Sequence, residues 1–385
     1  MELKQKSFFI LIAIIIGIGL GFLIWQYLSP VLGRGVFYYQ VEGDKVNLFL
    51  LKNSHSEKIL SIPAREIDPG DFRPPRRSYL SNNGKIMIYF KQVGEAPVED
   101  LDLGEGMIAM RVVYNPTLVN LRNDEEKEIN QQIDSASLVF SPNDSEIAWV
   151  KQVDESTYQK IEESGRKREL WISKPDGEEA RFLADFDENV VLLQRWSGDY
   201  IYFQGLWDVN NRSMGRINPK TKQVDYLVPR DCENFLENCN NVEYSRSGTK
   251  FLYEIINDTG DKKITILYLG DFEKREFLEV LTTDEISDRL WIDDGEKFFY
   301  TEQEEDKGGA VTETIHLVDI KNQTDDSIYN GSYVSQLTFD KGGRYLYFLE
   351  KEKEGENFKL NRLDLKTKDI KTILTDNYNK ILLVQ

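Results

Sequence analysis

The sequence predicts an all-β fold: a β-propeller of about seven blades, closed by its C-terminal strand and preceded by one N-terminal transmembrane helix. Three observations predict it. A unit of strand, tight polar turn and strand recurs about every 50 residues, the length of one four-stranded blade. No stretch beyond the N-terminal apolar run carries a long helical stripe of apolar side chains. The chain ends on a lone apolar strand, KILLVQ from Lys380, that has no neighbour of its own in sequence.

Residues 1–7 form a short polar tail, and Phe8 to Leu28 follow as FFILIAIIIGIGLGFLIWQYL without a charge. At about 1.5 Å per residue that helix is roughly 31 Å long, enough to cross a hydrocarbon core. Trp25 and Tyr27 fall where an interfacial aromatic belt would sit, and Ser29-Pro30 ends the helix. A cleaved signal peptide would need a shorter apolar run and a small-residue cleavage site, which Leu28 to Leu32 does not offer. Lys4 and Lys6 precede the helix and only Arg34 follows closely, which places the N-terminus in the cytoplasm and the rest outside. Gly17 and Gly21 form a small-residue pair of the kind that also packs helices together. Residues 29–35 are a linker, and 36–385 are the propeller.

Composition narrows the function. The chain has 385 residues, 66 acidic and 48 basic, for a formal charge of −18. Glu2, Lys4, Lys6 and Arg34 are the only charges through Arg34, so the exported part carries −20. That sign excludes nucleic acid as a partner, because phosphate binding needs concentrated positive charge. A 40% hydrophobic composition supports a large core. Two His and two Cys are too few for a zinc site or an iron–sulfur cluster, so no metal and no cofactor is expected.

The repeats run along the chain in order. They read SYLSNNGKIMIYF from Ser78, LVFSPNDSEIAWV from Leu138, LLQRWSGDYIYF from Leu192, VEYSRSGTKFLYE from Val242, LWIDDGEKFFYT from Leu290 and LTFDKGGRYLYFLE from Leu337. Their turns are marked by Gly84, Asp144, Gly198, Gly248, Gly295 and Gly343. Two further strand-like runs follow each copy, such as ELWISKP from Glu169 and ARFLADF from Ala180. Residues 36–65 supply three strands, VFYYQV, VNLFLLK and EKILSIP, that lack an innermost partner. KILLVQ fits that vacancy, and its insertion removes two aggregation-prone edges at once. Six blades would require one unit to be misread.

The unit FSPNDSEIAWV…RELWISKPDGEEARFLADF resembles the repeat of TolB-like propellers, a WD40-like arrangement shared with the propellers of prolyl-oligopeptidase-type peptidases. Ser141, Pro142, Ile147, Ala148, Leu170, Trp171 and Leu183 match that repeat. Trp149 stands where Tyr is usual, and Asn143-Asp144 replaces Asp-Gly. The resemblance implies the propeller fold over residues 36–385. It carries neither peptidase activity nor the TolB partner set, since neither companion domain accompanies this propeller here.

No motif points to catalysis, and the protein is expected not to be an enzyme. His55 and His316 are the only candidate bases, the first in a turn and the second inside a strand, and no Gly-x-Ser-x-Gly elbow occurs. Carboxylates are abundant, so a carbohydrate-active enzyme with paired acids is the alternative. SPNDSEIAW matches a sialidase Asp-box only faintly, and Asn257 to Asp261 lacks the spacing of a calcium loop. Cys232 and Cys239 enclose a short loop that an extracytoplasmic disulfide would close, worth about 2–3 kcal/mol.

Connections between second and third strands, and between blades, open on one face of a propeller. Here they are long: Val93 to Gly106, Val153 to Lys167, Gly205 to Ser213 and Glu302 to Glu313. The opposite face has short turns. Long loops on a rigid scaffold host binding, so a protein or small ligand is expected at this face, with Tyr158 and Trp207 as aromatic anchors. The first of these loops holds Glu95, Glu99, Asp100, Asp102 and Glu105 without a base, which favours cationic partners. The expected function is a membrane-anchored, extracytoplasmic, prokaryotic binding or scaffold module. An accessory subunit of a separate hydrolase or envelope complex is a further alternative.

Overall fold

Seven four-stranded antiparallel sheets account for nearly all the regular structure in a computed structural model of the chain. It describes residues 36–42, 45–52, 55–63, 65–68, 71–73, 78–97, 110–151, 167–206, 212–228, 239–258, 263–292, 295–305, 311–340, 343–351, 357–375 and 381–383. From the innermost strand outward, blade 1 is Ile381–Leu383, Val36–Glu42, Lys45–Lys52 and His55–Pro63. Blade 2 is Ser78–Leu80, Ile86–Pro97, Met110–Asn120 and Glu125–Glu128. Blade 3 is Ile133–Phe140, Ile147–Lys151, Arg168–Ser173 and Arg181–Phe186. Blade 4 is Val190–Ser197, Tyr200–Leu206, Arg212–Ile217 and Val224–Val228. Blade 5 is Cys239–Tyr244, Lys250–Asp258, Lys263–Asp271 and Glu276–Thr283. Blade 6 is Glu285–Trp291, Lys297–Glu305, Val311–Asp319 and Thr324–Gly331. Blade 7 is Ser335–Phe339, Tyr345–Glu350, Lys359–Asp364 and Ile370–Thr375.

Burial follows position within each blade. Second strands are covered on both faces by neighbouring blades, so IAWV (Ile147 to Val150) is wholly buried although it does not alternate. Outermost strands meet water: Glu125–Glu128 is exposed throughout, and Thr324–Gly331 is exposed at five of its eight residues with none buried. Each seam between consecutive blades holds its own apolar cluster. Met87 and Tyr89 meet Phe37 and Tyr39 between blades 2 and 1, and Phe186 meets Phe203 between blades 3 and 4. The seam that closes the circle packs Val36, Tyr38 and Leu51 of blade 1 against Tyr347, Leu349 and Leu360 of blade 7. Seven seams for seven blades make a closed ring.

Backbone pairing completes the closure. Ile381, Leu382 and Leu383 pair with Gln40, Tyr39 and Tyr38, antiparallel to the second strand of blade 1. The C-terminal strand therefore lies where the sequence leaves blade 1 without an inner strand. The first-to-second-strand turns share a left-handed residue at every marker: Gly84, Gly198, Gly248, Gly295 and Gly343 have φ between 55° and 101°, and Asp144 has φ 58°. Glycine enters that region without steric cost, and Asp enters it with a side-chain hydrogen bond. Asp144 spends its carboxylate on the preceding blade's turn, accepting from Asn82 N at 2.7 Å and Asn83 N at 2.9 Å.

Three features differ from the sequence-based expectation. Val93 to Pro97 is not loop but ladder, pairing up to Pro97–Met110 in a hairpin that extends the second and third strands of blade 2. Glu302 to Glu305 and Val311 to Glu313 likewise pair in blade 6, and Asn257 and Asp258 pair with Ile264 and Lys263 in blade 5. The ladder continues past the blade in these segments, but their polar and acidic residues carry no apolar period to announce it. A short ribbon, Arg65–Asp68 against Asp71–Arg73, joins blades 1 and 2 and has no counterpart among the described residues of the other blades. Phe8 to Leu28 lies outside the described residues, among which no helix is long and apolar enough to cross a membrane.

Candidate functional site

The first strands of the blades line the axis, and those of blades 3 to 7 share one irregularity. Each carries a break in register: between Ile133 and Leu138, Leu193 and Arg195, Asn240 and Glu243, Ile286 and Asp288, and Ser335 and Thr338. A bulge tightens the local twist and re-aims a side chain. In blades 4 to 6 the residue just past the break is charged, namely Arg195, Glu243 and Asp288. The outcome is a cluster of charged side chains on the axial strands of blades 4 to 6.

Its bonds run from blade to blade. Arg195 Nη1 donates to the carbonyl of Ser245 at 2.9 Å, joining blade 4 to blade 5. Arg289 Nη1 of blade 6 reaches Glu254 Oε2 of blade 5 at 2.6 Å, with side chains only 9% and 3% exposed. Trp291 Nε1 donates to the Glu243 carbonyl at 3.0 Å. Asp288 accepts from its neighbour Arg289 N at 2.9 Å and from Leu337 N of blade 7 at 2.6 Å. Gln336, beside that last contact, has φ 55°, a conformation a non-glycine side chain enters only under strain.

Two carboxyls here titrate in the neutral range. Burial pushes Glu243 up to about 7 against the pull of Arg289 and Arg195, with Asp288 adding to the rise. Burial also raises Glu313 to about 7, opposed by hydrogen bonds from Ser287 and the Val334 amide and reinforced by Asp288. Asp288 itself is raised by burial, although the amides of Leu337 and Arg289 hold it down. Glu313 is 5% exposed, and its Oε2 has no hydrogen-bond partner among the described residues. Such groups can give or take a proton near pH 7.

The second concentration of titratable groups surrounds His316 in blade 6. Its ring stacks on Tyr300 with centroids 4.6 Å apart, Nδ1 lies 3.0 Å from Asp325 Oδ1, and Nε2 lies 3.4 Å from Glu302 Oε2. Tyr300 donates to Asp325 at 2.8 Å, and Thr283 of blade 5 donates to Glu302. Burial alone would lower the His316 pKa, but Asp325, Glu302 and Glu304 outweigh it and the net shift is upward. With its ring nitrogens facing Asp325 of the fourth strand and Glu302 of the second, the imidazole clamps three strands of blade 6 together. His55 is exposed at the start of its strand, paired with Lys52.

A third buried group lies between blades 3 and 4. Glu188 accepts from Ser213 at 2.9 Å and Tyr226 at 3.1 Å, while Arg168 Nε donates to the Asn189 carbonyl at 2.6 Å. No three His, Cys, Asp or Glu side chains converge as metal ligands among the described residues. Tyr158, Trp207 and Cys232 lie outside the described residues; Cys239 begins the first strand of blade 5, opposite Ile255. The axial cluster escapes motif reading because its members come from separate repeats and share no spacing. The charged residues Arg195, Glu243 and Asp288 in the repeat units are visible in the sequence, but nothing there marks them as neighbours.

No family model matches the sequence, and no curated protein matches it. Solved structures do share its fold. A prolyl endopeptidase is 11% identical over 92% of this chain and 49% of that chain, with a TM-score of 0.58. Oligogalacturonate lyase from Vibrio parahaemolyticus is 13% identical, covering 83% of this chain and 89% of that chain, with a TM-score of 0.54. TolB from Acinetobacter baumannii, 12% identical over 89% of this chain and 81% of that chain, gives a TM-score of 0.43. The likeness to the prolyl endopeptidase and the oligogalacturonate lyase is one of fold, and this chain's own fold is a seven-bladed propeller.

Proposed function

We propose that the protein is a membrane-anchored, extracytoplasmic propeller that binds a partner and does not catalyse a reaction. One observation carries this reading: Arg195, Asp288 and Arg289 on the axial first strands make bonds that tie one blade to the next, with the Ser245 carbonyl, Leu337 N and Glu254 respectively. A ring built this way is a rigid scaffold, and its longest connections all open on one face. Phe8 to Leu28 supplies the single membrane span, with residues 1–7 in the cytoplasm and 29–35 as linker. The face with the extended hairpins receives a protein or small ligand, with Tyr158 and Trp207 as anchors. Crosslinking in native membranes, comparing the natural chain with a Tyr158→Ala/Trp207→Ala variant, tests the binding role. A discrete adduct lost in the variant supports it, and an adduct pattern indifferent to both substitutions rejects the anchors.

A second reading draws on the two neutral-range carboxyls. Glu243 and Glu313 could serve as acid and base on a carbohydrate, the class of substrate named for the oligogalacturonate lyase neighbour. The chain's charge of −18 disfavours a polyanionic substrate. Cleavage of any oligosaccharide in a panel, abolished by both Glu243→Gln and Glu313→Gln, would replace the binding reading with this one.

A further inference from the structure

The short-turn face of the ring lies against the lipid bilayer, we propose, and the hairpin face points away from it. This orientation rests on the membrane-anchor reading and adds to it which side of the propeller a partner can reach. The strand register fixes where the chain enters. Val36 pairs with Leu51, one residue before Lys52, and Lys52 pairs with His55 across the turn to the outermost strand. Glu42, at the other end of the same strand, pairs with Lys45. The chain therefore enters the ring on the face of the short turns, the face marked by the left-handed residues at Gly84, Asp144 and Gly248.

The tether is too short to reverse that arrangement. Residues 29–35 separate the anchor from Val36, and fully extended they reach about 25 Å. A domain of this length has a radius of gyration of about 20 Å, so a path around its rim to the opposite face is far longer.

Charge agrees with the orientation. On the short-turn face, bases and acids are interleaved and paired: Lys220 lies 3.0 Å from Asp199, and Lys274 lies 3.2 Å from Glu276. The connections of the other face are acidic, most densely at Glu95, Glu99, Asp100, Asp102 and Glu105. An anionic leaflet repels such a surface and tolerates a balanced one. The balanced face is also fixed in shape, since Asn82 Nδ2 donates to Asp144 Oδ1 at 2.8 Å and Lys250 Nζ to the Gly295 carbonyl at 3.1 Å, each linking turns of adjacent blades.

The test uses the full chain in vesicles of zwitterionic and anionic phospholipid carrying a headgroup quencher. A fluorophore is attached at Lys220→Cys, Lys274→Cys or Glu304→Cys, each in a Cys232→Ser/Cys239→Ser background. All three positions are exposed, the first two on the short-turn face and Glu304 toward the hairpin end of its strand. Flotation in a density gradient is scored first. A chain that does not float with the vesicles overturns the anchor reading, and the orientation falls with it. In a chain that floats, strong quenching at positions 220 and 274 with little at 304 is the expected result. Equal quenching at all three, or stronger quenching at 304, overturns the orientation while leaving the anchor intact.

Discussion

Removing one partner of the Arg289–Glu254 pair is expected to destabilise the ring severely. The guanidinium and carboxylate sit 2.6 Å apart, 9% and 3% exposed, and belong to different blades. Breaking a buried pair from one side costs about 3–5 kcal/mol, because an uncompensated charge stays behind. Replacing both sides by apolar residues of similar volume is often close to neutral. Glu254→Leu strands a guanidinium that cannot shed its proton, whereas Arg289→Met strands Glu254 and also deprives Glu243 of an attractive charge. Each single substitution should therefore cost about 3–5 kcal/mol, and the double variant should recover most of that loss. Urea unfolding followed by tryptophan fluorescence and far-ultraviolet circular dichroism measures all four corners of the cycle. Single variants within about 1 kcal/mol of the natural chain, the range of an exposed ion pair, would refute the burial and the blade-to-blade role inferred here.

Other perturbations have equally definite outcomes. His316 has a folded pKa raised above its ordinary value of about 6.5, so the stability it contributes is complete below that value and is lost as pH rises through the folded pKa. His316→Gln should consequently differ most from the natural chain near pH 6 and converge with it in alkaline solution; a gap that widens with pH would contradict the clamp. At Gly270 a Cβ would come within 2.4 Å of the buried Phe251 ring, its cross-strand partner. Gly270→Ala should cost about 1–3 kcal/mol, measured by the urea midpoint, and Phe251→Leu in the same chain should relieve the clash. Gly215 faces Phe203 in the same way in blade 4, and its alanine variant should behave alike.

How much of this was legible in the sequence depends on whether a feature repeats. The turns were, because a backbone with positive φ favours Gly and, among other residues, Asn and Asp, and all six marker residues take that conformation. The second strands were as well, since a strand sandwiched between two blades must be apolar on both faces, as Phe298 to Tyr300 is. Closure could be read from what blade 1 lacks. Bulged first strands were not legible: the extra residue that turns Glu243 and Asp288 out of the apolar pattern leaves no mark on composition or period. Nor was the pairing of Arg289 with Glu254, which joins two repeats 35 residues apart in sequence. The acidic hairpins misled for a related reason, because solvated strand extensions such as Gln303 to Glu305 have no face to bury and read as loop.

Hydrogen exchange across Tyr38 to Gln40 tests the closed ring most directly. These residues are paired with Asn47 to Phe49 on one side and with Ile381 to Leu383 on the other. Slow exchange in the natural chain that becomes fast throughout this segment once residues 381–385 are deleted, together with a lower unfolding midpoint, is the predicted result. Exchange and midpoint unchanged by the deletion would mean that the terminal strand does not hold the ring shut.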